Sequence, residues 1–231
     1  TLTVQVEDTG ALTDTATITI NVTNVNEAPV VADQTFSVAE NSANGTAVGT
    51  VVASDVDAGD SLTYSITAGN NAGAFAINAA TGEITVADTT QLNYEDTTSY
   101  TLTVQVEDAG TLTDTATVTI NVTNVNEAPV VADQTFTVAE NSANGAAVDT
   151  VVAGDVDAGD SLTYAITAGN DSGAFAIDAA TGAITVADTT QLDYETTTSY
   201  TLTVQVEDAG ALTDTATITI NVTNVNEAPV V

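Results

Sequence analysis

The chain has 231 residues and contains no lysine, arginine, histidine, cysteine, methionine or tryptophan. Its 32 acidic side chains give a formal charge of −32, which excludes nucleic acid and anionic membrane surfaces as direct partners, because binding to either depends on lysine and arginine. The composition also excludes serine–histidine and cysteine–histidine nucleophiles, Schiff-base lysines and zinc sites of histidine or cysteine, so only oxygen ligands remain.

Apolar residues make up 43% of the chain, which is enough to build packed cores. The length allows about two domains of ordinary size. No apolar run approaches the roughly 20 residues of a membrane span, and the sequence begins at Thr1 with neither an initiator methionine nor a signal peptide. We therefore expect a piece of a longer protein, with no direct membrane insertion.

The chain repeats itself with a period of 100 residues. Residues 31–130 and 131–230 align without a gap and differ at 13 positions, and residues 1–31 match 201–231 with one change. A repeat of this length predicts an array of similar domains. The predicted domains are the last hairpin of a preceding repeat (1–27), two full repeats (28–127 and 128–227) and the start of the next (228–231).

Within one period the sequence predicts strands separated by turns, with no helical periodicity of useful length. The shorter strands are predicted near 34–39, 46–53, 61–67, 73–77 and 83–87. Residues 98–123 then form a long antiparallel hairpin, because apolar side chains alternate with threonine, glutamine and asparagine on both sides of a turn at 107–110. Seven strands in about 100 residues predict an all-β fold of tandem seven-stranded Greek-key β-sandwiches of the immunoglobulin-like type.

Three side-chain patterns have ordinary structural interpretations. Residues 101–200 contain twenty threonines, which suit solvated strand faces; an ice-binding array is the alternative, although such solenoids repeat over much shorter periods. The aromatic residues of the first full period are predicted to fill the core or its edges. Asn-Val-Thr sequons begin at Asn21, Asn121 and Asn221, and their glycosylation would depend on the source.

Acidic residues cluster at the predicted strand ends and loops. In the first full period they fall at Glu40, at 55–60, at 93–95, at 107–108 and in the segment 124–127. Two like charges about 4 Å apart cost roughly 4 kcal/mol at an effective dielectric constant near 20. If these groups converge, they need a bound cation, because the chain has no basic side chain; if they are spread over the surface, they need none.

The order of these motifs resembles cadherin repeats of the bacterial type. Glu40 and Glu140 match the glutamate that follows the first strand, and the Asp-x-Asp motif matches at 55–57 and 155–157. The segments 92–95 and 192–195 resemble the Leu-Asp-Arg-Glu motif, and 124–129 resembles the Asp-x-Asn-Asp-Asn-x-Pro linker, one residue shorter. Asp108 and Asp208 stand where the family has the aspartate that ends the sixth strand. The match covers the whole chain, and these five motifs recur in the same order.

The resemblance implies calcium sites at the joints between repeats, with ligands from both neighbours. The complete joint would use Glu40, Asn93, Glu95, Asn124, Asn126 and Glu127 with Asp155, Asp157, Asp160 and Asp208. The joint before it would use Asn24, Asn26, Glu27, Asp55, Asp57, Asp60 and Asp108. The joint after it would begin with Glu140, Asp193 and Glu195 and the linker 224–227.

The departures from the family pattern affect the predicted ion count. Asn93 and Asn124 stand where the family has aspartate, whereas Asp193 restores the carboxylate in the second repeat. Seven of the ten ligands of the complete joint are carboxylates, and fewer charged ligands lower calcium affinity. We therefore expect two to three Ca²⁺ per complete joint, with a weakened outer ion.

Four functions are compatible with this sequence, and they belong to different classes. The leading prediction is a calcium-stiffened structural stalk or filament of a secreted or cell-surface bacterial adhesin, located outside the cell and built from further copies of the same repeat. The alternative is a carbohydrate- or cell-binding module, with surface glycans or other cells as partners. In a third interpretation the acidic residues have no specific role and form only a solvated surface. The fourth is an enzyme with paired catalytic carboxylates, although a catalytic pair copied every 100 residues would be unusual.

Overall fold

A computed structural model describes residues 1–228 of the protein, so that residues 229–231 of the predicted next repeat lie outside the described part. The chain forms two compact units, Thr1–Thr123 and Asn124–Val231. The predicted domain boundaries, which place the linker 124–127 with the preceding repeat, stay a prediction. No helix in the described residues is long and apolar enough to cross a membrane.

The first unit begins with a separate antiparallel hairpin of β1 (Leu2–Glu7) and β2 (Thr13–Ile18). Every residue of both strands is exposed. The sequence predicted this hairpin from its identity with the last part of each full repeat.

A β-sandwich follows the hairpin in the first unit. Its strands are β3 (Val30–Val31), β4 (Gln34–Ala39), β5 (Ala47–Thr50), β6 (Ala53–Ser54), β7 (Thr63–Ala68), β8 (Phe75–Ile77), β9 (Glu83–Val86), β10 (Ser99–Glu107) and β11 (Thr113–Thr123), with one 3₁₀ turn at Thr89–Gln91. The larger sheet has the order β4-β11-β10-β7, and the smaller ones are β5-β9-β8 and β3-β6. Strands β10 and β11 pair antiparallel, and β4 pairs parallel to β11.

The second unit repeats this sandwich. Its strands are β12 (Val130–Val131), β13 (Gln134–Ala139), β14 (Ala147–Thr150), β15 (Ala153–Gly154), β16 (Thr163–Ala168), β17 (Phe175–Ile177), β18 (Ala183–Val186), β19 (Ser199–Glu207) and β20 (Thr213–Thr223), with a 3₁₀ turn at Thr189–Gln191. The sheets are β13-β20-β19-β16, β14-β18-β17 and β12-β15.

The period-2 pattern of the long hairpin determines which face is buried. Leu102, Val104 and Val106 of β10 are completely inaccessible to solvent, whereas the threonine and glutamine side chains between them face outward. Burial of each such side chain contributes about 1.5–3 kcal/mol relative to an exposed one. Phe75 adds an edge-to-face contact with Tyr100, with ring centroids 5.1 Å apart. The hydrophobic pattern therefore fixes the register of the hairpin.

The all-β sandwich prediction is confirmed, but one strand was predicted wrongly. Residues 46–53 are divided between β5 and β6, which pair with different strands, and buried Val51 lies between them. The partner of β6 is β3, a two-residue strand that the sequence pattern does not predict. Asp114 holds this strand, because its Oδ2 accepts a 2.9 Å hydrogen bond from the backbone N–H of Val31.

Candidate metal centre

Three aspartates of the second unit converge into one cluster. Asp155 follows β15, Asp160 lies in the next loop and Asp208 follows β19. One carboxylate oxygen from each lies within 4.8 Å of those of the other two. Asp208 is 95% buried, at 5% exposure, and its Oδ1 accepts a 2.8 Å hydrogen bond from the Leu212 N–H across the turn. The strand ends therefore place these three acidic side chains together, whereas their role as metal ligands stays a prediction.

A buried carboxylate oxygen in this cluster lacks a hydrogen-bond donor. Oδ1 of Asp155 accepts the Asp157 N–H at 3.0 Å, whereas Oδ2 is buried and has no hydrogen-bond partner. A buried acceptor without a partner costs about 1–3 kcal/mol. A hard cation prefers clustered carboxylate oxygens as ligands and would remove this penalty. The residues present therefore fit a calcium ion.

Asp157 points to the linker and is not a member of this cluster. Its Oδ2 accepts the Glu127 N–H at 2.8 Å, and its Oδ1 accepts the amide of Asn124 at 2.8 Å. These two hydrogen bonds, with the backbone one the larger cause, hold the pKa of the Asp157 carboxyl below its usual value. The linker also reaches the cluster, because the Asn126 amide donates to Asp208 at 2.8 Å.

The first unit has the same arrangement 100 residues earlier. Asp55, Asp60 and Asp108 have oxygens within 4.8 Å of one another, and Oδ2 of Asp55 is also buried without a hydrogen-bond partner. Asp57 accepts hydrogen bonds from the Asn24 amide and, at 2.8 Å, from the Glu27 N–H. These bonds lower its pKa, with Asn24 the largest cause. The Asn26 amide donates to Asp108 at 2.8 Å.

A second acidic cluster in the second unit contains Glu140, Asp193 and Glu195, again with oxygens within 4.8 Å of one another. Glu140 is buried at 3% exposure, and it accepts the backbone N–H groups of Tyr194 at 2.8 Å and Val225 at 2.6 Å. The Asn224 amide donates to Glu195 at 2.8 Å. The glutamate, the Asp-Tyr-Glu loop and the outgoing linker of one repeat therefore meet.

The equivalent residues of the first unit lie in the corresponding places. Glu40 is buried at 2% exposure and accepts the Tyr94 N–H at 2.8 Å. Asn93 accepts the Asp96 N–H at 3.1 Å, and Glu95 is exposed. The joining of this set with Asn124, Asn126 and Glu127 stays a prediction.

Two glycines that support the linker were overlooked as functional residues. A Cβ atom on Gly210 would lie 2.6 Å from the amide nitrogen of Asn126, and one on Gly110 would lie 2.5 Å from that of Asn26. From the sequence pattern alone, each glycine is only the last residue of a hairpin turn. The glycines leave room for the asparagine side chains to reach Asp208 and Asp108.

Comparison with protein families identifies these repeats. A family model described as the cadherin domain matches residues 34–123 and 134–223. The chain belongs to the cadherin family. Among cadherins with curated descriptions it is 38% identical to human protocadherin Fat 1 over 95% of this chain, and 37% identical to the Drosophila melanogaster protocadherin-like wing polarity protein stan over 83%. It spans only 5% and 6% of the length of these two cadherins.

Solved cadherin structures show the same fold. Repeats EC22–24 of mouse cadherin-23 superpose with a TM-score of 0.67 at 28% identity, covering 96% of this chain and 74% of that one. Repeats EC3–6 of protocadherin gammaB7, solved as a cis-dimer, superpose with a TM-score of 0.65 at 28% identity, covering 95% of this chain and 57% of that one. Calcium binding is typical of cadherin repeats, and the relatives are cadherins and not enzymes.

Proposed function

We propose that this chain is a calcium-stiffened spacer within a secreted or cell-surface adhesion protein, with Ca²⁺ bound at the joints between its repeats. The observation that carries the proposal is the buried, unpartnered Oδ2 of Asp155, which lies in a cluster of carboxylates. The same atom of Asp55 repeats the feature in the first unit. No lysine or arginine exists in the chain to neutralise either cluster.

The charge of the proposed complete joint supports two to three ions. Its ten predicted ligands include seven carboxylates, so that three Ca²⁺ would leave the joint close to neutral. Asp155, Asp160 and Asp208 would hold one ion on the second unit, and Glu40 and Glu95 would contribute from the first. Asn93 supplies an uncharged oxygen, which lowers the affinity of the outer ion relative to a site with aspartate there.

Rod stiffness follows from the shared ligands. Without metal the carboxylates of a joint repel one another, whereas bound Ca²⁺ locks ligands from two repeats around common ions. Extracellular calcium modules bind with dissociation constants of about 10⁻⁴–10⁻³ M. Such values match calcium concentrations outside the cell, and we place the protein there.

We also propose a giant, repetitive bacterial surface adhesin as the parent protein. Support comes from the near identity of successive repeats, which differ at 13 of 100 positions. Human Fat 1 and Drosophila stan are animal cadherins and lend no support to a bacterial source. Sequencing of the parent gene tests this point, because a bacterial adhesin would carry a bacterial secretion signal and further copies of this repeat.

Calorimetric titration tests the calcium proposal. We expect the full chain, stripped of metal, to bind Ca²⁺ with a sub-millimolar to millimolar dissociation constant, and to unfold at a higher temperature when calcium is present. Asp55→Asn together with Asp155→Asn should remove the tighter binding. A chain that binds no calcium up to 10 mM would overturn the proposal. A glycan and cell-binding screen of the same chain addresses the rival receptor-binding role, which predicts specific capture.

A further inference from the structure

The amides of the linker asparagines are directed at carboxylates. In the second unit the side-chain nitrogen of Asn124 lies 2.8 Å from Oδ1 of Asp157, and that of Asn126 lies 2.8 Å from Oδ2 of Asp208. The Glu127 N–H takes the other oxygen of Asp157 at 2.8 Å. Three donors from one short linker therefore satisfy two aspartates of the same unit.

The first linker asparagine donates to a carboxylate in every described copy, although the partner of the last one is different. Asn24 donates to Asp57 in the first unit, and Asn224 donates at 2.8 Å to Glu195. All three asparagines that stand in the first linker position thus donate to a carboxylate.

An aspartate in this position could not make these contacts. An ionised carboxylate has only acceptor oxygens, whereas an asparagine amide carries two N–H donors and a carbonyl acceptor. An aspartate at position 124 would place a second negative oxygen against Oδ1 of Asp157, and these two acceptors would repel each other unless a cation lay between them. Asparagine removes a charge from the calcium site and supplies a contact that needs no cation.

We propose that Asn24 and Asn124 are positioning residues that fasten the linker to Asp57 and Asp157 by a hydrogen bond independent of calcium. The consequence for calcium rests on the proposed function: the linker stays ordered when calcium is low, and calcium adds less order to it than it would to an aspartate linker. The chain thereby exchanges calcium affinity for a joint that keeps its linker in place through calcium depletion.

Amide hydrogen exchange of the full chain, followed by NMR with the chelator EGTA and then with 10 mM calcium, tests the proposal. The Glu127 N–H reports directly, since it donates to Asp157. In EGTA we expect this amide to exchange at least tenfold faster in Asn124→Asp than in the unaltered chain, and calcium to restore much of the protection. The Glu27 amide, which donates to Asp57, should be unchanged in the same sample.

Two further variants separate the possible causes. Asn124→Ala removes the donor without adding charge, and we expect it also to accelerate exchange of the Glu127 amide in EGTA. Ala183→Glu adds one negative charge to the second unit with the residue that the first repeat carries at position 83, and it should leave that amide unaffected.

Equal exchange in EGTA for Asn124→Asp, Asn124→Ala and the unaltered chain would overturn the proposal. Acceleration in EGTA with no response to calcium in any variant would support the hydrogen bond but contradict the proposed calcium function. The two failures are therefore distinguishable.

Discussion

Neutralising one aspartate of the acidic cluster should change stability in opposite directions with and without calcium. In the second unit an oxygen of Asp155 lies within 4.8 Å of oxygens of Asp160 and Asp208. At that distance two unit charges repel by about 3.5 kcal/mol at an effective dielectric constant of 20 and about 0.9 kcal/mol in water. The variant Asp155→Asn removes two such repulsions and retains an oxygen that can accept the Asp157 N–H.

The partly exposed position of Asp155 favours the lower of these two energies. We expect Asp155→Asn to stabilise the second unit by about 1–2 kcal/mol in EGTA, which raises its unfolding temperature by several degrees. In millimolar calcium the variant should be less stable than the unaltered chain, because a charged ligand is missing. Differential scanning calorimetry in the two buffers measures both effects.

The control for this prediction is Asp171→Asn. It removes one charge from an exposed position of the same unit and introduces the residue that the first repeat has at position 71. It should change the unfolding temperature little in either buffer. Equal shifts from Asp155→Asn in EGTA and in calcium would refute the reasoning, since a cation would then have no part in the cluster.

Three further predictions concern other parts of the repeat. The pKa of Asp214 is lowered chiefly by the hydrogen bond from the N–H of Val131. Its contribution to stability is therefore present above the usual carboxyl pKa and is lost as the pH falls through the lower pKa of the folded state. In Asp214→Asn the free energy of unfolding of the second unit should fall less steeply between pH 5 and pH 2 than in the unaltered chain. Gly210→Ala should displace the Asn126 amide and destabilise the second unit by about 1.5–3 kcal/mol in urea unfolding, the usual contribution of a hydrogen bond to a charged group. Asn93→Asp should tighten calcium binding in a calorimetric titration, because it adds a charged ligand to the proposed outer site.

Each of these predictions has a comparison within the chain. Asp14→Asn alters the equivalent residue of the isolated hairpin and should leave the acid unfolding of the second unit unchanged. Gly10→Ala makes the same change in the turn of the isolated hairpin, where a Cβ would meet only Asp8, at 3.3 Å. If both glycine variants lose the same stability, the loss comes from the turn itself and not from the Asn126 contact. For Asn93→Asp, an unchanged dissociation constant would place residue 93 outside the calcium site.

The sequence predicted the long hairpin well because its pattern is local. Leu102, Val104 and Val106 alternate with polar residues, and this alternation defines both the strand and its buried face. The parallel pairing of β4 with β11 could not be predicted in this way, since it joins segments about 85 residues apart. The division of residues 46–53 also escaped prediction, because it depends on the pairing of β5 with β9 and of β6 with β3, and these partners are distant in sequence.

The sequence placed the acidic residues correctly at strand ends but could not assign their individual contacts. Asp155 and Asp157 are two residues apart, yet the first joins the carboxylate cluster and the second binds the linker. The direction of each side chain depends on the loop conformation, which the spacing alone does not determine. For the same reason the sequence did not predict that Gly210 leaves space for the Asn126 side chain.

Small-angle X-ray scattering of the full chain in millimolar calcium and then in EGTA tests the central claim most directly. Calcium-stiffened joints predict an extended particle with calcium, and a shorter, more variable one after chelation, together with a fall in unfolding temperature. A scattering profile and an unfolding temperature that are the same in both buffers would contradict the account.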